Sequence, residues 1–109
     1  MVADVKTDVL VVGAGAAGMY AAIAAARNDA DTVLVDKSLI GRGGATIMAQ
    51  MTVAAAVSEQ EPDHWTQHLN DTLESGRGLC NELLAAILCE EAPTRIMELD
   101  EWKIGWARE

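Results

Sequence analysis

Residues 8–22 read DVLVVGAGAAGMYAA, and the parsing of this run decides the fold. With Thr7 in front, its first half is a short apolar stretch, 7–12, β-branched at several positions and stopped by Gly13. That is the pattern of a strand buried in a parallel sheet. From Gly15 to about Asn28 the chain carries Ala at nearly every interior position, which gives high helix propensity. A polar breaker, NDAD, precedes TVLVD at 32–36, a second strand. Strand, helix and strand within thirty residues form a βαβ unit.

Gly13, Gly15 and Gly18 make a G-x-G-x-x-G spacing between the first strand and the helix. Each glycine has its own physical task. Gly13 permits the tight turn, Gly15 lets the backbone approach a pyrophosphate, and Gly18 lets the helix pack closely on the sheet. The helix N-terminus offers unpaired N–H groups and a partial positive charge to an anion. Asp36 closes the second strand eighteen residues after Gly18, where a carboxylate accepts hydrogen bonds from ribose hydroxyls and repels a 2′-phosphate. Strand, spacing, helix and acid agree on a dinucleotide.

A second glycine run follows, GRGGATIMAQ at 41–50. Gly41, Gly43 and Gly44 let the backbone lie against a ligand. Arg42 is suited to offset phosphate charge, and Thr46 to donate a hydroxyl to it. Backbone N–H groups around Ala49 and Gln50 are candidates for a flavin edge. Two loops of this kind suit one long ligand held at two places. The segment 45–57 is expected to be helical, or partly extended at its β-branched end.

Beyond a polar linker, SEQEPD at 58–63, Trp65, Leu69 and Leu73 recur every four residues as on an amphipathic helix. That helix is expected to stop at SGRG, 75–78. Cys80, Leu83, Leu84, Ile87 and Leu88 form a second helical stripe. Pro93 is expected to break or restart this helix, leaving TRIMELDEW as a final short one. The division is therefore 1–57, a βαβ unit with the second glycine loop, and 58–109, a helical segment of the same domain.

The 109 residues suffice for one small domain but are few for a redox enzyme with its own substrate pocket. Half are hydrophobic, with no Phe, so the core relies on close approach of Ala-rich elements. The net charge of −9 lies almost wholly in 58–109, where twelve acids face four bases. Such a chain is repelled by nucleic acid and by an anionic membrane surface. The N-terminus lacks the regions of a secretory signal, and two cysteines make no disulfide framework. If Cys80 and Cys89 share a helix, nine residues at about 100° each put them on opposite sides. A bridge is then excluded and a reducing cytoplasm is expected.

Other residues carry ordinary readings. His64, His68 and Asp71 fall at helical spacing but lack a closing ligand, so a solvated helix face is expected and no metal site. Trp65, Trp102 and Trp106 suit core or interdomain contacts. The Glu90–Glu91 and Glu98–Glu101 clusters suit charged helix faces.

Five stretches together, DVLVVGAGAAGMYAA, VLVDKS, GGATIMAQ, the region 68–102 and the closing IGWARE, make the chain similar to one family over its whole length. The chain resembles the N-terminal FAD-binding part of the flavoprotein subunits of succinate dehydrogenase and fumarate reductase, with L-aspartate oxidase and adenylylsulfate reductase. The resemblance implies a Rossmann-like α/β fold, here an incomplete domain, and FAD as cofactor. It implies that Gly13, Gly15 and Gly18, with Ala16 and Ala17 between them, hold the pyrophosphate, and that Asp36 holds the adenosine ribose. Lys37 and Ser38 would border the adenosine end, and Gly43, Gly44, Ala45, Thr46, Ala49 and Gln50 the phosphate and flavin end. It also implies an iron–sulfur partner subunit, a small dicarboxylate-like substrate, and later FAD-domain and capping-domain segments that carry the catalytic residues. A cytoplasmic location is expected, with attachment to the cytoplasmic membrane face through a complex as an option.

Three departures from the family pattern stand out. Many members have a histidine before the loop threonine that bonds covalently to the flavin; here it is Ala45, so a non-covalent flavin is expected. The family's AQGG reads AQMT at 49–52, replacing two glycines. Lys103 stands where a glycine is common. Two other readings stay open at this point: an NAD-binding Rossmann module without flavin, and a non-catalytic fragment whose apolar faces dock onto a missing domain.

Overall fold

The computed structural model describes residues 4–49, 52–58 and 62–106. The chain divides into two compact units, Met1–Thr52 and Val53–Glu109.

In the first unit β1 (Val9–Val12), α1 (Ala16–Arg27) and β2 (Thr32–Val35) follow one another, and β1 pairs with β2 in parallel. The register sets Val9 opposite Thr32 and Val12 opposite Val35. The lower end of the pair is tied by side chains. Thr7 Oγ1 donates to the Asp31 carbonyl at 2.6 Å, and Asp31 N–H donates to Asp8 Oδ2 at 2.9 Å. At the upper end Gly13 N–H donates to the Val35 carbonyl at 2.7 Å, carrying the ladder one residue past β1. This is the expected βαβ order, with strands trimmed at their ends.

Alternation along β1 sends Val9 and Val11 toward α1 and leaves Leu10 and Val12 exposed. Parallel sheets are normally covered on both faces, whereas this two-stranded one is covered by α1 on one face. Among the described residues of this unit Ala14 is buried, so its core is thin.

The second glycine run forms turns, Arg42 N–H donating to the Leu39 carbonyl at 2.9 Å, and leads into one helical turn, α2 (Ala45–Met48). Helix ends there with Ala49 as the extended C-cap, and 52–58 is irregular apart from a bend.

In the second unit α3 (Trp65–Gly76) packs on α4 (Glu82–Glu101). His64 is the N-cap of α3, its Nδ1 accepting from Thr66 N–H at 3.3 Å, a task that the metal-like spacing of the histidines did not suggest. Asn81 caps α4, its Oδ1 accepting from Leu84 N–H at 3.1 Å. Three expectations are corrected here. Pro93 neither breaks nor restarts the helix: α4 runs through it for 20 residues, so TRIMELDEW is its last part and not a separate helix. Proline in a helix interior removes a hydrogen bond at a cost of roughly 3 kcal/mol, and packing on α3 together with helical neighbours on both sides outweighs it. Cys80 precedes the N-cap and is not on the helix, so the helical-spacing argument about a disulfide does not apply; both cysteines are free thiols.

The helix–helix seam is also not the large apolar stripe. Leu83, Leu84, Ile87 and Leu88 are exposed, and the buried positions are Ala85 and Cys89. Small side chains let the helices approach, and Thr72 of α3 lies in this seam. Its hydroxyl lies 3.7 Å from Cys89 Sγ while the Cys80 thiol donates to its carbonyl at 3.6 Å. On α4, the exposed Arg95 pairs with the exposed Glu91 at 3.0 Å and with the half-buried Glu98 at 3.5 Å. Among the described residues no helix is long and apolar enough to cross a membrane.

Candidate FAD site

All described candidate residues lie in the first unit, around the upper end of the β1–β2 pair. The turn after β1 needs its first glycine for conformation, since Gly13 has φ +106° and a Cβ there would meet open space. Gly18 answers a different need: a Cβ there would collide with the Gly13 carbonyl oxygen, so α1 can lie this close to the loop only without one. Gly15 is the N-cap of α1 and, having no side chain, offers no cap acceptor to the N–H groups of the first turn.

One of those groups finds its partner thirty residues away. Thr46 Oγ1 accepts from Ala16 N–H at 3.0 Å, and a Cβ at Gly15 would lie 3.3 Å from the same oxygen. The second glycine loop is thereby laid over the first. Gly44, φ +82°, turns the chain into α2 so that Thr46 arrives there. Ala45 and Ala49 are exposed, and Ala49 N–H donates to the Thr46 carbonyl at 3.2 Å. Gln50 lies outside the described residues.

Asp36 joins the same assembly from the end of β2. Its Oδ2 accepts from Ala14 N–H at 2.6 Å, and its Oδ1 accepts from Ser38 N–H at 2.9 Å and the Ser38 hydroxyl at 3.1 Å. The Ala14 bond, then the Ser38 N–H bond, hold this carboxyl below its ordinary range, against a smaller opposing effect of desolvation. A carboxylate offers about four acceptor positions, and the chain's own donors fill most of them. Ser38 in turn fills the space beside Gly43, where a Cβ would collide with its hydroxyl. Lys37 is exposed beside them.

The structure thus brings together Gly13, Gly15, Ala16, Gly18, Asp36, Ser38, Gly43, Gly44 and Thr46. It adds Ala14, which the sequence reading missed. Ala14 is the buried residue between the first two glycines, and its N–H fixes the carboxylate; its signal was its place in a G-x-G turn facing an acid. Among the described residues no cluster of three or more His, Cys, Asp and Glu side chains could hold a metal.

The arrangement fits a dinucleotide. The first-turn N–H groups of α1 have no intrahelical acceptor, the glycines at 13, 41 and 44 face open space, and a carboxylate stands at the end of β2.

The comparisons with known proteins agree. A family described as the FAD binding domain matches residues 8–109. The succinate dehydrogenase flavoprotein subunit of Rickettsia bellii is 33% identical over 103 residues, 94% of this chain and 17% of that protein. L-aspartate oxidase of Streptomyces coelicolor is 40% identical over 95 residues, 87% of this chain and 16% of that protein. The solved Mycobacterium smegmatis Sdh1 complex in its apo form contains a chain that superposes with a TM-score of 0.86 at 36% identity, covering 94% of this chain and 17% of that one. The chain therefore spans about a sixth of the length of these relatives. The partial Rossmann-like α/β unit has FAD as its cofactor, and the chain belongs to the FAD binding domain family of flavoproteins that includes succinate dehydrogenase and fumarate reductase subunits and L-aspartate oxidase.

Proposed function

We propose that the chain supplies the N-terminal part of the FAD site of an oxidoreductase of the succinate dehydrogenase and fumarate reductase type, with FAD held non-covalently. The observation that carries this reading is the meeting of the two glycine loops at the N-terminus of α1, through Ala16 N–H and Thr46 Oγ1 at 3.0 Å. The pyrophosphate would lie on the first turn of α1, against the N–H groups of Ala17 and Gly18 and the glycine backbone. The adenosine ribose would meet Asp36 at the acceptor position that Ala14 and Ser38 leave, with Lys37 at the rim. Gly43, Gly44, Ala45, Ala49 and Gln50 would border the phosphate and flavin end.

A bound flavin supplies the redox chemistry by accepting and passing on electrons; the protein binds and orients it. Ala45 has no nucleophile to attach it. The arginine and histidines of catalysis would come from segments absent here, so no catalytic residue is assigned. The full enzyme would act on a small dicarboxylate-like substrate and pass electrons to an iron–sulfur subunit in the cytoplasm, at the membrane face where a complex holds it there.

The test of the non-covalent claim is acid precipitation of the FAD-loaded chain. The reading expects flavin in the supernatant and none in the pellet. Flavin that stays with the precipitated protein would overturn it.

A further inference from the structure

The glycines at 41, 43 and 44 do different things in the second loop. Gly41 and Gly44 have φ of +73° and +82°, and a Cβ on either would meet open space, so what they supply is conformation. Gly43 lies outside the left-handed region and is half-buried. A Cβ there would collide with Ser38 Oγ and stand 3.2 Å from Ser38 Cβ. Turning the hydroxyl away would relieve the first contact and not the second, because Ser38 Cβ does not move when χ1 rotates. The side chain that Gly43 lacks is therefore room for Ser38.

Ser38 is held from its other side. Its N–H and its hydroxyl both donate to Asp36 Oδ1, at 2.9 and 3.1 Å. The other acceptor within reach of the hydroxyl, the Leu39 carbonyl, is farther away at 3.4 Å. A hydroxyl has one proton, and the nearer, charged acceptor takes it. Asp36 Oδ2 meanwhile accepts from Ala14 N–H at 2.6 Å. We propose that Ser38 is the positioning residue of the second glycine loop: fixed on Asp36, it fills the space beside Gly43, so that one carboxylate sets both loops. This rests on the FAD-site reading and divides the work within it. Gly43 owes its missing side chain to Ser38 and not to the ligand it borders, and Ser38 acts through the loop and not by touching adenosine.

The experiment is a double-mutant cycle of Gly43→Ala and Ser38→Gly, read as FAD affinity and as the urea midpoint of the ligand-free chain. Residues in contact couple in such a cycle, and independent ones add. Overpacking corresponds to roughly a fivefold or greater change in an equilibrium constant. Gly43→Ala should therefore weaken FAD by about fivefold or more when residue 38 is serine, and by less than about twofold when it is glycine. The urea midpoint should fall in the first background and not in the second. A Gly43→Ala chain that does not fold, rescued by Ser38→Gly, is the same result in stronger form. Ser38→Ala separates positioning from ligand contact. A hydrogen bond to a charged group corresponds to roughly tenfold, so this variant should weaken FAD by about that factor and leave adenosine within about threefold of wild type. An equal loss from Gly43→Ala in both backgrounds, or an equal loss of adenosine and FAD in Ser38→Ala, would overturn the proposal and leave the FAD site standing. A wild-type chain that binds no FAD would remove the site and the proposal with it.

Discussion

Ala14 N–H reaches Asp36 Oδ2 at 2.6 Å across 22 residues, so the first loop and the end of β2 are joined by one charge-assisted bond. Asp36 is consequently a structural residue as well as a ligand candidate. Its carboxylate holds the G-x-G turn in place before any ribose arrives, and the same carboxylate orders Ser38 at the start of the second loop.

That bond sets a pH dependence. Because Asp36 is held below its ordinary range when folded, its contribution to stability is present above the unfolded carboxylate pKa of about 4 and is lost as pH falls through that value toward the folded one. Thermal unfolding followed by circular dichroism at pH 7 and pH 3 should show a smaller pH-dependent drop for Asp36→Asn than for the wild type. Equal drops would mean that the Ala14 bond does not discriminate between the ionised and neutral carboxyl.

Gly18→Ala tests the close approach of α1 to its loop. The added Cβ would strike the Gly13 carbonyl oxygen and come within 3.4 Å of Val11 Cγ1. Overpacking of this kind costs roughly 1–3 kcal/mol, to be read as a lower urea midpoint. An unchanged midpoint would show that loop and helix separate easily.

Lys103 offers the opposite direction. It has φ +62° just after α4, its N–H donating to the Asp100 carbonyl at 2.8 Å, which is the left-handed position that ends many helices and favours glycine. Lys103→Gly should stabilise the chain, by about 1 kcal/mol at most, since relief of the left-handed strain is partly offset by the freedom glycine has in the unfolded chain. A loss of stability would point to a packing role for the lysine stem.

The two thiols should react at different rates. Cys89 has no exposed surface and Cys80 is partly exposed. One equivalent of a thiol reagent should react quickly with the native chain and two after denaturation, and Cys80→Ser should remove the fast phase. Fast labelling of both would contradict the packing of α4 on Thr72.

These residues also show what a sequence can disclose. The βαβ unit was legible because its signals are local: a β-branched run stopped by Gly13, an alanine-rich helix, a second run ended by Asp36. The roles of Gly13 and Gly18 followed from spacing. Lys103 was recognised as out of place, and its positive φ supplies the reason. What stayed hidden depends on distance or on competition. Thr46 caps α1 from thirty residues away, and nothing at either position announces the partner. Pro93 followed a local rule that tertiary packing overrides. Of the expected apolar stripe, Leu83, Leu84, Ile87 and Leu88 lie on α4 and Cys80 does not, and the face that packs is the small-residue one, because hydrophobicity does not reveal which side a neighbouring helix approaches.

Whether two glycine loops serve one ligand is decided by FAD titration of the purified chain beside Gly15→Val. A branched side chain at 15 would press on Thr46 Oγ1, which a single Cβ would already approach to 3.3 Å, and on the place of the pyrophosphate. The wild type should quench flavin fluorescence saturably and the variant should not, with β1 and β2 intact in both. Equal binding by the two proteins would contradict a single shared ligand.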